Sequence, residues 1–132
     1  MIGVDLGLSQ DGLTLWIIAN EREDFATFQR LVSQLANGTQ DVLDVDEHPE
    51  SFTLLPTIEN VLLVAAPPSE LDRVDILNNE ARRRILWRLS RSRWNDVLQK
   101  ISAMQNQPGH QYFDYPNITF VVSVEEGLRR VL

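Results

Sequence analysis

The stretch DVLDVDEHPE gathers Asp41, Asp44, Asp46, Glu47 and Glu50 around one imidazole, His48. Carboxylates and imidazole are ligands for divalent metals, and the same carboxylates can instead meet arginine or lysine on another protein. No glycine turns the chain around an ion as a calcium loop requires, so no metal is expected here. The five acids are read as the contact surface for a basic protein partner. If the segment is an edge strand, alternation places Asp44 and Asp46 on one face and Glu47 on the other.

A second stretch carries the opposite charge. ARRRILWRLSRSRW, residues 81–94, holds Arg82, Arg83, Arg84, Arg88, Arg91 and Arg93 together with Trp87 and Trp94. Arginine interleaved with aromatics describes a nucleic-acid surface over residues 82–93. A strand over 84–90, however, puts Ile85, Trp87 and Leu89 on one face and Arg84 and Arg88 on the other, which sends Trp87 into the core. A formal net charge of −7 also repels a polyanion. Nucleic acid is therefore the lesser expectation. Arg84 and Arg88 are assigned to pairing with acids of residues 41–50, within the molecule or between subunits.

The third candidate is GHQYFDY, Gly109 to Tyr115, where His110, Tyr112, Phe113 and Tyr115 surround Asp114. Read as a loop, it either folds its aromatics over a helix end or lines a pocket, which would make the chain an enzyme or a small-ligand-binding domain. There is no G-x-S-x-G, and His48 and His110 are the only histidines. A serine–histidine site would have to be assembled from loops, so no catalytic residue and no cofactor is assigned. Ile2 to Gly7, IGVDLG, resembles the first phosphate-binding segment of actin-like ATPases over six residues. Leu8 stands before Ser9 where that family continues with hydroxyls, and 132 residues leave no room for the family's two domains. The segment is read as a first strand with Asp5 on its wet face.

These residues must be carried by a scaffold, and the pattern of the chain describes it. With 132 residues, 43% of them apolar, the chain is read as a single domain over 1–132 that buries a core without metal or disulfide support. Zero cysteines suit a reducing compartment. The start carries no basic leader and no apolar run reaches the roughly 18 residues of a membrane span. The expectation is a cytoplasmic protein with no membrane segment. Charge is uneven: residues 1–80 hold fifteen acids against three arginines, and residues 81–132 hold four acids against nine basic residues.

Two segments of the chain resemble each other. LWIIAN, from Leu15, runs into a helical pattern with Phe25, Phe28, Val32 and Leu35 at offsets 0, 3, 7 and 10, and LWRLSR, from Leu86, runs into Trp94, Val97, Ile101 and Met104 at the same offsets. Those offsets line one face of a helix. Helices are expected over 21–36 and 92–105, the first opened by an Asn20–Glu23 capping box and closed at Asn37-Gly38, the second capped by Ser90 or Ser92 and closed at Pro108-Gly109. Short apolar runs supply strands, with DRVDIL doubtful, and Ser123 and Glu126 suggest a short terminal helix. The fold expected is α+β: a largely antiparallel sheet with two main helices on one face, in a split βαβ arrangement of two related halves.

A small acidic domain without a catalytic motif is what a stoichiometric binder of a basic protein looks like. In size, charge and missing motifs the chain is similar to immunity proteins that neutralise bacterial nuclease toxins, and to small acidic secretion chaperones. An inhibitor or immunity protein is the leading expectation, and an enzyme or ligand-binding domain is its rival.

Overall fold

The computed structural model describes residues 1–9, 12–79, 82–105 and 109–124. Among them the chain forms β1 (Ile2–Ser9), β2 (Gly12–Ala19), α1 (Arg22–Asn37), β3 (Val42–Asp44), a 3-10 turn (Val45–Glu47), β4 (Phe52–Leu54), β5 (Ile58–Ala66), β6 (Arg73–Asn79), β7 (Arg82–Ser90), α2 (Arg91–Ser102), β8 (Gly109–Tyr115) and β9 (Ile118–Val124). This is an α+β domain, as expected. The terminal helix expected beyond Ser123 lies outside the described residues.

Both helices start and stop for local reasons. The capping box of α1 sits one residue later than expected: the Glu21 N–H donates to Asp24 Oδ2 at 3.2 Å, while Asn20 Nδ2 donates to the Met1 carbonyl. Gly38 closes the helix with φ +88, the left-handed conformation only glycine adopts freely. Ser90 caps α2 by accepting from the Arg93 N–H. That helix ends at Ser102, earlier than expected, and Met104 follows it, buried.

The strands divide between two sheets where one was expected. The first has the order β4-β1-β2-β9-β8 and the second β3-β5-β7-β6. Hairpins β1–β2, β8–β9 and β6–β7 are antiparallel, as is β3–β5, but the central pairs β2–β9 and β5–β7 are parallel, so both sheets are mixed. Parallel neighbours need a connection longer than a hairpin, and here β2 pairs with β9 from the other end of the chain, while β5 reaches β7 past the intervening β6. Alternation identifies such strands in the sequence, yet carries no signal of which distant strand each one pairs with.

The two related halves nevertheless exist, and they are interlocked. Each half runs hairpin, helix, hairpin: β1–β2, α1, β3–β5 and then β6–β7, α2, β8–β9, with β4 inserted along the edge of β1. Each half places its first hairpin in one sheet and its second in the other. Exchanging the halves maps β1-β2-β9-β8 onto β6-β7-β5-β3 with every pairing sense preserved. Both sheets therefore need both halves.

One core fills the space between sheets and helices. The helices pack on each other and on the inner faces, α1 against β1, β2, β3 and β5, α2 against β5 and β7. Phe25, Phe28, Leu31, Val32 and Leu35 are buried, as are Trp94, Val97 and Ile101. Trp87 sits at the centre, fully buried, its ring stacked on Phe120 at 3.9 Å and 8° and edge-on to Trp94 at 4.9 Å. Both buried indoles find acceptors, Tyr115 OH at 3.0 Å for Trp87 and the Val64 carbonyl at 2.9 Å for Trp94.

Candidate functional site

The acidic stretch is not the strand that alternation suggests. Its strand ends at Asp44, and residues 45–47 turn as a 3-10 helix. The cause is local hydrogen bonding: the Asp44 carboxylate accepts from the Asp46 N–H at 3.1 Å and from Asn60 Nδ2 at 2.7 Å, and Asn60 Oδ1 also accepts from the Asp46 N–H at 3.0 Å. A side chain that captures a backbone N–H two residues on competes with strand pairing. Asp44 and Asp46 therefore do not share a face. Asp44 is half-buried and frames the turn, whereas Asp46, Glu47 and Glu50 are exposed on a shoulder that leads into β4.

Asp41 has a different task. It pairs with Arg91, whose guanidinium also donates to the carbonyls of Leu35 at 2.8 Å and Gln40 at 3.1 Å. A cation is favourable at the C-terminal end of α1, where carbonyls lack intrahelical partners, so this cluster ties the start of α2 to the end of α1.

The arginines are answered mainly by acids outside the shoulder. Arg88 Nε lies 3.2 Å from Asp75 Oδ2, which also meets Arg73 at 3.1 Å, and Arg93 Nε lies 3.1 Å from Asp72. Arg82 donates to the Ile58 carbonyl and Arg83 to Asn78 Oδ1. The expectation of internal pairing describes Arg88, but with Asp75 of the neighbouring strand. Arg84 is exposed on the outer face of β7 and has no internal partner among the described residues. Among the described residues, Arg91 is the one arginine of this cluster paired with an acid of the 41–50 stretch. With Trp87 and Trp94 in the core, the arginine cluster has no free indole for a base to stack on.

No protein-family model, curated protein or solved structure matches this chain. Function must be read from the sites themselves.

The Gly109–Tyr115 segment is a strand, β8, and not a loop: its alternating residues pair with β9 from Gly109↔Val124 to Tyr115↔Ile118. Between β8 and α2 lies a cleft of about 430 Å³ whose floor is Leu89, Val97 and Phe113. Its polar groups are largely engaged, Arg93 with Asp72, Asp114 with Thr119 Oγ1 at 2.9 Å, and Lys100 over the Phe113 ring at 5.6 Å. Burial pushes the Tyr115 phenol above its ordinary pKa, opposed by the hydrogen bond from Trp87.

Among the described residues no serine or threonine hydroxyl is hydrogen-bonded to a histidine. His48 Nδ1 lies 3.4 Å from Glu50, and His110 meets the rings of Trp16 and Tyr112 at 6.2 and 6.5 Å. Nor do three or more His, Asp or Glu side chains converge as metal ligands among the described residues. No helix there is long and apolar enough to cross a membrane. Sequence reasoning missed the outer face of the first sheet, where Trp16 turns away from the core between buried Leu15 and Ile17. The sequence carries little signal for it, because Thr14 is the only polar residue of LTLWIIA and the alternation emerges only in the burial of the folded strand.

Proposed function

We propose that this chain is a binding module for a basic protein, acting in the cytoplasm as an inhibitor or immunity-type protein, with the exposed carboxylates Asp46, Glu47 and Glu50 steering the partner in. The observation that supports this reading is where charge stays unanswered. Asp72 and Asp75 are paired with arginines, and Asp41 is tied to Arg91. Asp46 and Glu47 have no cationic partner among the described residues, and Glu50 has only His48. Mutually repelling acids on an exposed turn are relieved when a cation arrives, and such carboxylates raise association rates by long-range attraction. Asp41 and Asp44 belong to the frame behind them.

The test is kinetic. The product of the neighbouring reading frame is the first partner to try, mixed with the protein in stopped flow over a range of salt. The variant Asp46→Asn, Glu47→Gln, Glu50→Gln should associate about tenfold more slowly at low salt and lose most of its salt dependence, at unchanged melting temperature. An unaltered rate and salt response would remove the shoulder from the contact surface.

A further inference from the structure

The inner faces of both sheets are consumed by the core, but the outer face of the first sheet is covered by no described element. A Cβ built on Gly3 or Gly7, which point there from β1, meets nothing within 4 Å. In register across this face, Asp5 stands opposite Trp16, Trp16 beside Val121, and Val121 opposite Tyr112, which is 57% exposed. The rings of Trp16 and His110 meet edge-on at 6.2 Å across β9, where Val121 beside Trp16 and Ser123 opposite His110 are about 1% exposed. The Ser123 hydroxyl is buried with no hydrogen-bond partner. Asp5 and Asp114 are the charged residues at the outward strand positions of this face, which carry neither lysine nor arginine.

We propose that this face is where the basic partner is held, and that Asp5 and Trp16 form a receptor for one of its arginines. Directly opposed cross-strand residues have their Cβ atoms about 4.5–5.5 Å apart, so a guanidinium lying on the indole can reach the carboxylate beside it. Stacking uses the flat, weakly hydrated character of arginine, and the carboxylate takes its paired N–H donors, a combination that lysine cannot reproduce. Tyr112 supplies the amphipathic ring typical of residues that dominate protein interfaces. This inference rests on the reading of the chain as a binder of a basic protein, and divides the labour: the shoulder sets arrival, the face sets residence.

Of the three tryptophans, Trp87 and Trp94 are fully buried and Trp16 is partly exposed, so acrylamide quenching of the intact protein reports mainly on Trp16. Tetra-arginine amide should protect it saturably and bind at least about fivefold more tightly than tetra-lysine amide. Asp5→Asn should weaken the arginine peptide about tenfold without changing the melting temperature, and Trp16→Phe should retain part of that binding, read by calorimetry. Equal affinity for the two peptides, or indifference to Asp5→Asn, overturns the receptor. Loss of binding in the shoulder variant alone would do the same while leaving the basic-partner reading intact. If protection appears only after residues 125–132 are deleted, the face is held by the chain's own Arg129 and Arg130, and the proposal fails. With a partner in hand, face variants should raise the dissociation rate and shoulder variants lower the association rate. The reverse assignment would refute the division.

Discussion

Among the outward positions of the first sheet are Asp5 on β1, Thr14, Trp16 and Ile18 on β2, Thr119 and Val121 on β9, and His110, Tyr112 and Asp114 on β8. At the matching outward positions of the second sheet stand Arg73, Asp75 and Leu77 on β6, Arg84, Leu86 and Arg88 on β7, Leu62 and Val64 on β5, and Val42 and Asp44 on β3. The strand plan is the same and the inner faces are alike, aliphatic and aromatic. The outer faces have separated into an aromatic, acidic surface and an aliphatic, arginine-bearing one. Packing fixes what points inward, because a core at close-packed density tolerates few changes. It places no such demand on the outward residues, so their difference is a statement about what each face meets.

The sharpest way to break this comparison is to truncate one tryptophan from each face. Trp87 is an inward residue of the second sheet, so Trp87→Ala should cost about 3–5 kcal/mol in urea unfolding. Trp16→Ala, at an outward position of the first sheet, should cost about 1 kcal/mol or less. Similar losses for the two would mean that the outer face of the first sheet is structural after all.

A smaller effect concerns the second sheet's outward Asp44, which frames the acidic shoulder. Asp44→Ala removes an acceptor from the Asp46 N–H and from Asn60, and should cost about 1 kcal/mol, as loss of a capping side chain does. The shoulder should then lose protection against amide exchange at Asp46 before the sheet does. Retained protection would show that Asn60 alone holds the turn.

How much of this was legible beforehand follows from the range of the forces involved. The helices were readable because caps and the stripe from Phe25 to Leu35 are set within a few residues. The inward turn of Trp87 was readable because side chains alternate along a strand. The turn at Val45 is only half local: Asp44 captures the Asp46 N–H two residues on, but Asn60, fourteen residues on from Asp46, completes the arrangement and gives no signal in the stretch itself. The partner of Arg88 is hidden for a related reason: Asp75, opposite Leu86, comes within diagonal reach of Arg88 only after β6 pairs with β7, and DRVDIL shows little strand character by itself. The sequence of β8 reads as a loop because its alternation, with polar His110, Tyr112 and Asp114 outward, resembles an exposed segment until β9 lies beside it.

Neutralising Asp75 sharpens the contrast of the outer faces at little expense in stability. Asp75 answers both Arg73 and Arg88 and is partly exposed, so Asp75→Asn should change stability by about 0.5–1 kcal/mol. Its clearer consequence is electrostatic. Two arginines lose their counter-charge beside Arg84, which has no partner among the described residues, so the variant should be retained on heparin at low salt where the parent flows through. Equal elution of both proteins would show that the second face is not held neutral by Asp75.

The smallest effect lies where the inner faces of the two sheets meet, at the hydrogen bond from Trp87 on β7 to Tyr115 on β8. Burial holds the Tyr115 phenol above its ordinary pKa of 10.0, and Asp72 adds to the shift, while the Trp87 bond and Arg93 oppose it. The native state thus keeps this proton at a pH where the unfolded chain has released it. The sign follows from linkage: Tyr115 contributes its full stability below pH 10, and that contribution is lost as pH rises from the unfolded value through the folded one. Urea midpoints should therefore fall across this alkaline range, and the fall should be shallower in Tyr115→Phe, in which that titration is absent. Phenolate absorbance offers a direct check, since of the two tyrosines Tyr115 should give a late phase that the substitution removes. A parent and a variant with superimposable alkaline profiles would mean that the joint between the sheets opens to water, and that the two faces are less rigidly backed by a common core than the packing of Trp87 on Phe120 implies.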